Sequence, residues 1–290
     1  MTTLVTGATG FIGGAVVRGA ATSDWIRTVS RSAIHGAERN VESFPADLFT
    51  QAGIAAALDG ATSLIHCVSY VGRDPENAWR VNLELARDVI RAAELRNIHP
   101  LIYVSTTGVY GAGLMRGRGD ALPMTAPASE VSRSRRAAEE VFLAAGGTVI
   151  RPHLLYGVGD RWVIPLLSRV AMSSGLPDAG SAKVSLLDVE FLAQQIWALR
   201  GAGDMVTSRA FNSVNGEPIA LSQVIETLHA SIPGLWDRRG DAPLLSAHQW
   251  AMLTMDNWFA SSLPRELAAQ VPQFRITEQM KTWYAATISH

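Results

Sequence analysis

Leu4-Val5-Thr6-Gly7-Ala8-Thr9-Gly10-Phe11-Ile12-Gly13-Gly14 decides how this chain is organised. An apolar, β-prone run from Thr3 to Thr6 breaks on Gly7, and two more glycines follow at three-residue steps. The helix-compatible run Ala15 to Ala21 comes next, so the stretch predicts strand, tight turn and helix. Gly7 permits the turn, Gly10 lacks the Cβ that would strike a pyrophosphate, and Gly13 lets the helix lie close to the strand. The helix N-terminus offers unpaired N–H groups and partial positive charge to phosphates. A glycine triplet alone is a weak signal; this one has the strand and helix that the motif requires. Thr9, Phe11 and Ile12 belong to the same turn and are candidate contacts beside the three glycines.

A chain of 290 residues can bury a substantial core, as one large α/β unit or two joined lobes. Lys and Arg number 25 against 26 Asp and Glu, a balance that gives no footprint for nucleic acid or an anionic membrane. The one cysteine, Cys67, rules out an intrachain disulfide and fits a reducing cytoplasm. A strand starts almost at once, with no charged and apolar leader ahead of it, and no apolar run is long enough to span a bilayer. The expectation is a cytoplasmic globular protein with a small-molecule partner and no metal.

Working outward, Trp25–Val29 predicts a second strand ending on Ser30-Arg31. In a dinucleotide fold this end faces the adenosine ribose, where a carboxylate would hold both hydroxyls and Arg suits a 2′-phosphate. Ser30 and Arg31 with no acid favour NADPH over NADH. Val41–Ala46 predicts a third strand, with Asp47-Leu48 placed to meet the adenine. Ser63–Ser69 predicts a buried fourth strand, its end at Cys67-Val68-Ser69 touching the cofactor. Asp74–Leu95 predicts a long amphipathic helix with Asn82 among apolar neighbours, where an amide ties backbone together. Leu101–Ser105 is the fifth strand and Thr148–Arg151 the sixth, with a helix over Val131–Ala144 between them. Gly111–Pro127, rich in Gly, Arg and Pro, predicts an exposed loop.

Strands alternating with helices at this spacing argue an α/β fold with a doubly wound parallel sheet, whose ligands bind beyond the strands' carboxyl ends. Residues 1–157 are expected to form the dinucleotide-binding domain and 158–290 a smaller, mostly helical substrate lobe, with 183–214 returning to the sheet. That lobe carries Trp236, Trp250, Trp258 and Trp283 with several methionines on predicted helices, material for a core or an apolar pocket mouth.

These residues resemble the extended short-chain dehydrogenase/reductase family of nucleotide-sugar epimerases, dehydratases and ketoreductases. The likeness runs through Thr6–Gly13, Asp47-Leu48, Val81-Asn82, Ser105–Gly111, Arg151–Gly157, Leu187-Asp188-Val189 and Phe211-Asn212. It implies a Rossmann sheet with a small substrate lobe, and a nicotinamide dinucleotide cofactor. Enzymes of this family carry Tyr-x-x-x-Lys on the helix after the fifth strand. Here Arg133-Ser134 and Ala137-Ala138-Glu139 fix the register, so Val131 stands at the tyrosine position and Arg135 at the lysine position. The family's hydroxyl at the fifth strand's end maps onto Thr106, beside Ser105, and the resemblance puts Pro152 and His153 near the nicotinamide.

Delivery of hydride to a ketone leaves an alkoxide that needs a proton, ordinarily the tyrosine's. Arg135 can grip ribose hydroxyls but cannot act as an acid near neutrality, and Val131 donates nothing. Three explanations stand open. Another side chain supplies the proton, His153 being a better candidate than Tyr110 or Tyr156. Or the protein binds dinucleotide without chemistry, as a regulator. Or the substrate carries its own acid, a phenol beside the ketone on a fused aromatic ring. Intramolecular transfer from such a phenol has an effective molarity on the order of 10⁵ M or more. The third explanation suits an apolar lobe, and the missing pair resembles atypical reductases of angucyclinone ring ketones. It predicts an NAD(P)H-dependent ketoreductase of an aromatic polyketide, with Ser105 and Thr106 as orienting hydroxyls. A dTDP-sugar 4-ketoreductase or epimerase is the runner-up, with Arg116, Arg118 and Arg161 as partners for its diphosphate.

Overall fold

Thr2–Thr6 forms strand β1, in which every side chain from Thr3 to Thr6 is buried, as a strand covered on both faces requires. The computed structural model describes residues 1–20, 23–31, 40–120, 127–173, 181–214, 216–232, 245, 247–267 and 274–288. After β1 come α1 (Phe11–Arg18), β2 (Trp25–Ser30), β3 (Val41–Pro45), α2 (Gln51–Leu58) and β4 (Ser63–His66). Helix α3 (Pro75–Trp79) runs through a π turn (Arg80–Glu84) into α4 (Leu85–Glu94). Strand β5 (Leu101–Val104), a 3₁₀ turn (Thr107–Tyr110), β6 (Met115–Arg118), α5 (Glu130–Ala144) and β7 (Thr148–Pro152) follow. The remainder holds β8 (Leu154–Tyr156), α6 (Val163–Ser173), β9 (Lys183–Val184), β10 (Leu186–Asp188), α7 (Val189–Gly201) and β11 (Ala210–Ser213). It closes with β12 (Ile219–Ala220), α8 (Leu221–Ser231), α9 (Ala247–Thr254), β13 (Asn257–Phe259) and α10 (Glu278–Ile288).

Seven strands make one parallel sheet in the order β11-β7-β5-β4-β1-β2-β3. This is a Rossmann-type doubly wound α/β fold. Successive side chains along each strand point to opposite faces, and the core divides accordingly. Val5, Ile65, Ile102 and Ile150 pack with Val16 of α1 and with Phe191, Leu192 and Ile196 of α7. Their neighbours Leu4, Leu64, Tyr103 and Val149 pack on the other face with Ile54, Val89, Ile90 and Phe142.

The sheet reverses its order between β4 and β1, so the carboxyl ends of its strands open a crevice there. A third core cluster includes Tyr156, Ile164, Val184, Leu221 and Tyr284. Beside the main sheet stand a two-stranded sheet, β10-β8, and a four-stranded sheet, β12-β9-β13-β6, which draw β6 and β8 from before residue 157.

Two local expectations change. Gly111–Pro127 is not wholly loop, because Met115–Arg118 pairs with β13, with Gly117 at φ 66° where a Cβ would meet the Trp258 ring. A partner more than a hundred residues further along the chain is invisible to local composition. Of the stretch 183–214, Ala210–Ser213 lies in the main sheet beside β7, whereas Lys183–Val184 pairs in the small sheet. Asn82 sits in the π turn, its amide held by the Tyr70 N–H at 2.7 Å, the Tyr70 carbonyl at 3.1 Å and Ser134 Oγ at 3.0 Å.

Candidate active site

Gly7 has φ 73°, and a Cβ there would lie 2.9 Å from the backbone of Cys67 and Val68. A Cβ on Gly13 would come within 2.2 Å of the Gly7 carbonyl oxygen, so helix and strand approach to a distance only glycine allows. The Gly10 N–H donates to that same carbonyl at 2.9 Å and closes the turn. Because α1 begins at Phe11, the N–H groups of Phe11, Ile12 and Gly13 have no carbonyl one turn earlier in the helix. The turn therefore presents donors and no side-chain bulk, which is what a pyrophosphate needs.

Beyond it lies a cleft of about 880 Å³ over the ends of β1 to β4. Gly7, Thr9 and Gly10 line it at one end, Ser30 and Arg31 at the end of β2, and Asp47 and Leu48 after β3. Cys67, Val68 and Ser69 line it after β4. The sequence reading missed Phe49, Tyr70, Asn77 and Arg80. The Arg80 guanidinium lies 4.8 Å from the centre of the Phe49 ring and donates to Asn77 Oδ1 at 2.9 Å. Asn77 and Arg80 stand three residues apart on one helical face, a spacing that could have flagged them. Burial pushes the Cys67 thiol up to about 12, against the pull of the nearby Arg135 charge, which disfavours the thiolate that a nucleophile needs.

A second pocket of about 430 Å³ opens over β5 and β7. Thr106, Thr107, His153 and Asn257 supply its polar groups, and Leu154, Ala251, Met252 and Phe259 its apolar wall. Thr107 Oγ1 lies 2.8 Å from His153 Nδ1, and the Phe259 ring packs against the imidazole at 4.9 Å between centres. Thr106 caps the 3₁₀ turn by accepting the Gly108 N–H at 3.1 Å. His153 thus faces this pocket rather than the cleft along β1–β4, and Thr107 and Asn257 are further residues missed from sequence. Ser105, expected beside Thr106, is buried with 1% exposure, lines neither described pocket, and its hydroxyl has no described partner. Alternation along the strand turns it inward as Thr106 turns outward. Pro152 ends β7, also buried and away from both linings.

Helix α5 offers no acid to either cavity. Val131 is a half-buried hydrocarbon, and Arg135 points inward, donating to the Val104 carbonyl at 2.9 Å. Arg135 therefore contacts the end of β5 rather than the described lining of the cleft. Tyr103, Tyr110, Tyr156 and Tyr284 are at most 1% exposed, and Tyr70 lies in the 880 Å³ cleft, so none of the five tyrosines lines the second pocket. Of the expected aromatic lobe residues, Trp236 lies outside the described residues, Trp250 is exposed, and Trp258 and Trp283 are half-buried away from the pocket's lining.

The turn carrying Thr106 and Thr107 is braced from below. Arg151 forms a bidentate pair with buried Glu139 at 2.9 and 2.7 Å and donates to the Tyr110 hydroxyl at 2.9 Å. Tyr110 donates in turn to Asn212 Oδ1 at 2.7 Å, and the Asn212 amide reaches the Ala260 carbonyl at 2.7 Å. One polar chain links α5, the 3₁₀ turn, β7, β11 and the segment after β13.

Residues 3–212 match the model of the NAD dependent epimerase/dehydratase family. The chain belongs to that family. Its glycine turn, with free N–H groups at the start of α1, is the kind of site that family uses for a dinucleotide. The chain is 25% identical to the sterol-4-alpha-carboxylate 3-dehydrogenase, decarboxylating, of Bos taurus and 30% identical to the ceramide reductase of Caulobacter vibrioides, over 67% of this chain in each case. The matches span 60% and 59% of those relatives' own lengths. The 2-alkyl-3-oxoalkanoate reductase of Stenotrophomonas maltophilia is 25% identical with 99% of both chains covered. Among solved structures, the UDP-glucose 4-epimerase of Thermotoga maritima superposes with a TM-score of 0.79 at 16% identity, covering 98% of each chain, a likeness of fold.

Proposed function

We propose that this family member is an NAD(P)H-dependent ketoreductase of a polycyclic aromatic polyketide, and that a phenol beside the substrate's ketone provides the proton. The observation that carries the reading is the combination of a mostly apolar second pocket with an α5 that presents no acid to it. Gly7, Gly10 and Gly13, with Thr9 and the N–H groups of Phe11 and Ile12, would hold the pyrophosphate. Ser30 and Arg31 would take the 2′-phosphate of NADPH, Asp47 and Leu48 the adenine, and Cys67, Val68 and Ser69 the nicotinamide ribose side. A nicotinamide bound there supplies the hydride that reduces the ketone carbon.

Thr106 and Thr107 are hydroxyls that can orient the carbonyl oxygen without being acids at neutral pH. As the carbonyl becomes an alkoxide, the adjacent phenolic proton crosses to it, and the phenolate regains a proton from solvent once the product has left. A phenol, of pKa about 10, is a competent acid toward an alkoxide. The protein's share is to orient the ring system and exclude water, and Leu154, Met252 and Phe259 suit that task.

Arg116 is paired with Asp256 at 2.7 Å and Arg118 lies over the Tyr110 ring, while the described lining of the second pocket holds no Arg or Lys. A sugar diphosphate would find no cation among the described residues of that lining, which favours the apolar ketone over the sugar nucleotide. The Thr107–His153 bond supports a second reading, in which His153 gives the proton. One experiment separates the two. Turnover of a hydroxy-ketone and of its phenol methyl ether is compared in the wild type and in His153→Gln. Loss of the methyl ether's turnover with its binding retained, and survival of activity in His153→Gln, support the phenol. Normal turnover of the methyl ether overturns it.

A further inference from the structure

Phe49 and Arg80 come from two separate segments and meet in the wall of the 880 Å³ cleft. Phe49 stands just past β3, directly after Asp47 and Leu48, and Arg80 opens the π turn that follows α3. The guanidinium lies over the ring at 4.8 Å from its centre, and Phe49 remains 49% exposed. A line of hydrogen bonds along α3 holds that guanidinium in place. The Tyr70 hydroxyl accepts the Asp74 N–H at 3.2 Å, the Asp74 carboxylate accepts Asn77 Nδ2 at 2.5 Å, and Asn77 Oδ1 accepts Arg80 at 2.9 Å. Tyr70 and Asn77 line the same cleft. Arg80 is exposed and forms no ion pair among the described residues, so its charge is oriented by an amide and a ring without being neutralised. A planar cation backed by an aromatic ring is a platform for another flat, electron-rich ring.

We propose that Arg80 holds the adenine of the bound dinucleotide: its guanidinium, with Phe49 behind it, is a wall on which the base stacks. The proposal rests on the reading that the dinucleotide fills this cleft with its adenine beside Asp47 and Leu48, the two residues that precede Phe49. It gives the two arginines of the described lining separate tasks. Arg31, at the 2′-phosphate, distinguishes NADPH from NADH, whereas a contact with the base counts equally for both. Phe49 acts through Arg80, so removing either side chain disables the same contact.

The test uses Arg80→Met, which keeps a long unbranched side chain without the planar cation, Phe49→Leu, which removes the ring, and the double variant. Both positions are exposed, so melting temperatures are expected to match that of the wild type. Dissociation constants are measured by calorimetry for NADP⁺, NAD⁺ and 5′-AMP, at a temperature where every variant is folded. Each single variant is expected to bind all three about three- to tenfold more weakly, the range of a cation–π contact. The double variant is expected to lose no more than the weaker-binding single one, since both substitutions remove one contact. A loss confined to NADP⁺ overturns the proposal and makes Arg80 a partner of the 2′-phosphate. Losses that multiply in the double variant alongside a falling melting temperature also overturn it, because they mark a structural contact. Unchanged affinity for all three overturns it while leaving the dinucleotide's place intact. A wild type that binds none of the three overturns that placement as well.

Discussion

Thr107 Oγ1 and His153 Nδ1 meet at 2.8 Å across the space between the end of β5 and the end of β7. The bond fixes the imidazole plane from one side while Phe259 packs on it from another. The pocket therefore has a rigid polar wall, although its α5 side lacks an acid.

That wall separates two roles. Thr106→Ala is expected to slow turnover by about tenfold or less, since one orienting hydrogen bond contributes about 1 kcal/mol. Thr107→Val, which releases His153, is expected to cost a similar factor if the phenol gives the proton. Steady-state kcat for both variants is the measurement, and a loss of several orders of magnitude in either assigns it to the proton path.

Arg31→Ala is expected to weaken NADPH binding by about 10- to 100-fold, the range of a charge-assisted contact, and to leave NADH nearly unchanged. Fluorescence titration of both cofactors reads the difference. Equal losses would remove Arg31 from the 2′-phosphate.

Gly13→Ala places a methyl group 2.2 Å from the Gly7 carbonyl oxygen. Forcing α1 away from β1 is expected to cost about 1–3 kcal/mol of stability and to distort the turn's donors. Nucleotide binding is expected to fall with the melting temperature, whereas Gly201→Ala, with open space at its Cβ and no left-handed backbone, leaves both unchanged and serves as the control.

His66 is fully buried, bonded through Nδ1 to Thr6 Oγ1 at 2.9 Å, and its pKa is lowered to about 4, first by burial and then by the Arg135 charge. The unfolded chain takes up this proton near pH 6.5 and the folded chain only near pH 4, so His66 favours folding fully above pH 6.5. That advantage is expected to drain away between pH 6.5 and 4, amounting to about 3 kcal/mol at the acid end. Urea midpoints measured over this range should slope for the wild type and flatten for His66→Gln.

Glu139→Gln leaves the Arg151 guanidinium buried beside a neutral amide. Breaking one side of such a pair costs about 3–5 kcal/mol, and because the pair supports Tyr110 the 3₁₀ turn should loosen with it. Chemical unfolding gives the loss, and a fall in kcat beyond that of Thr106→Ala would report the loosened turn.

The glycine turn and the alternating strands were legible because both are local: Gly7, Gly10 and Gly13 carry their geometry in their spacing, and β1, β4 and β5 are short, fully or almost fully buried runs between breakers. The cleft followed from strand ends, since Ser30 closes β2 while Asp47 and Cys67 stand just past β3 and β4. What sequence could not deliver depended on distant pairing or on side-chain direction. Met115–Arg118 is a strand only because residues 257–259 lie beside it. Ser105 and Thr106 differ by one position yet face opposite ways, and Arg135 turned toward the Val104 carbonyl rather than the cleft. Asn257, on a short strand with no motif around it, gave no signal at all.

The pairing of Met115–Arg118 with Asn257–Phe259 also sets an order of assembly. During synthesis β7 stays an open edge until residue 213 has emerged, and β6 waits for its neighbour until residue 259 has. A chain stopped near residue 157 would hold an intact glycine turn but two unprotected strand edges, an invitation to self-association. The lining of the cofactor cleft ends at Leu85, whereas the second pocket waits for Ala251 to Phe259, so cofactor affinity should precede catalytic competence in the life of the nascent chain.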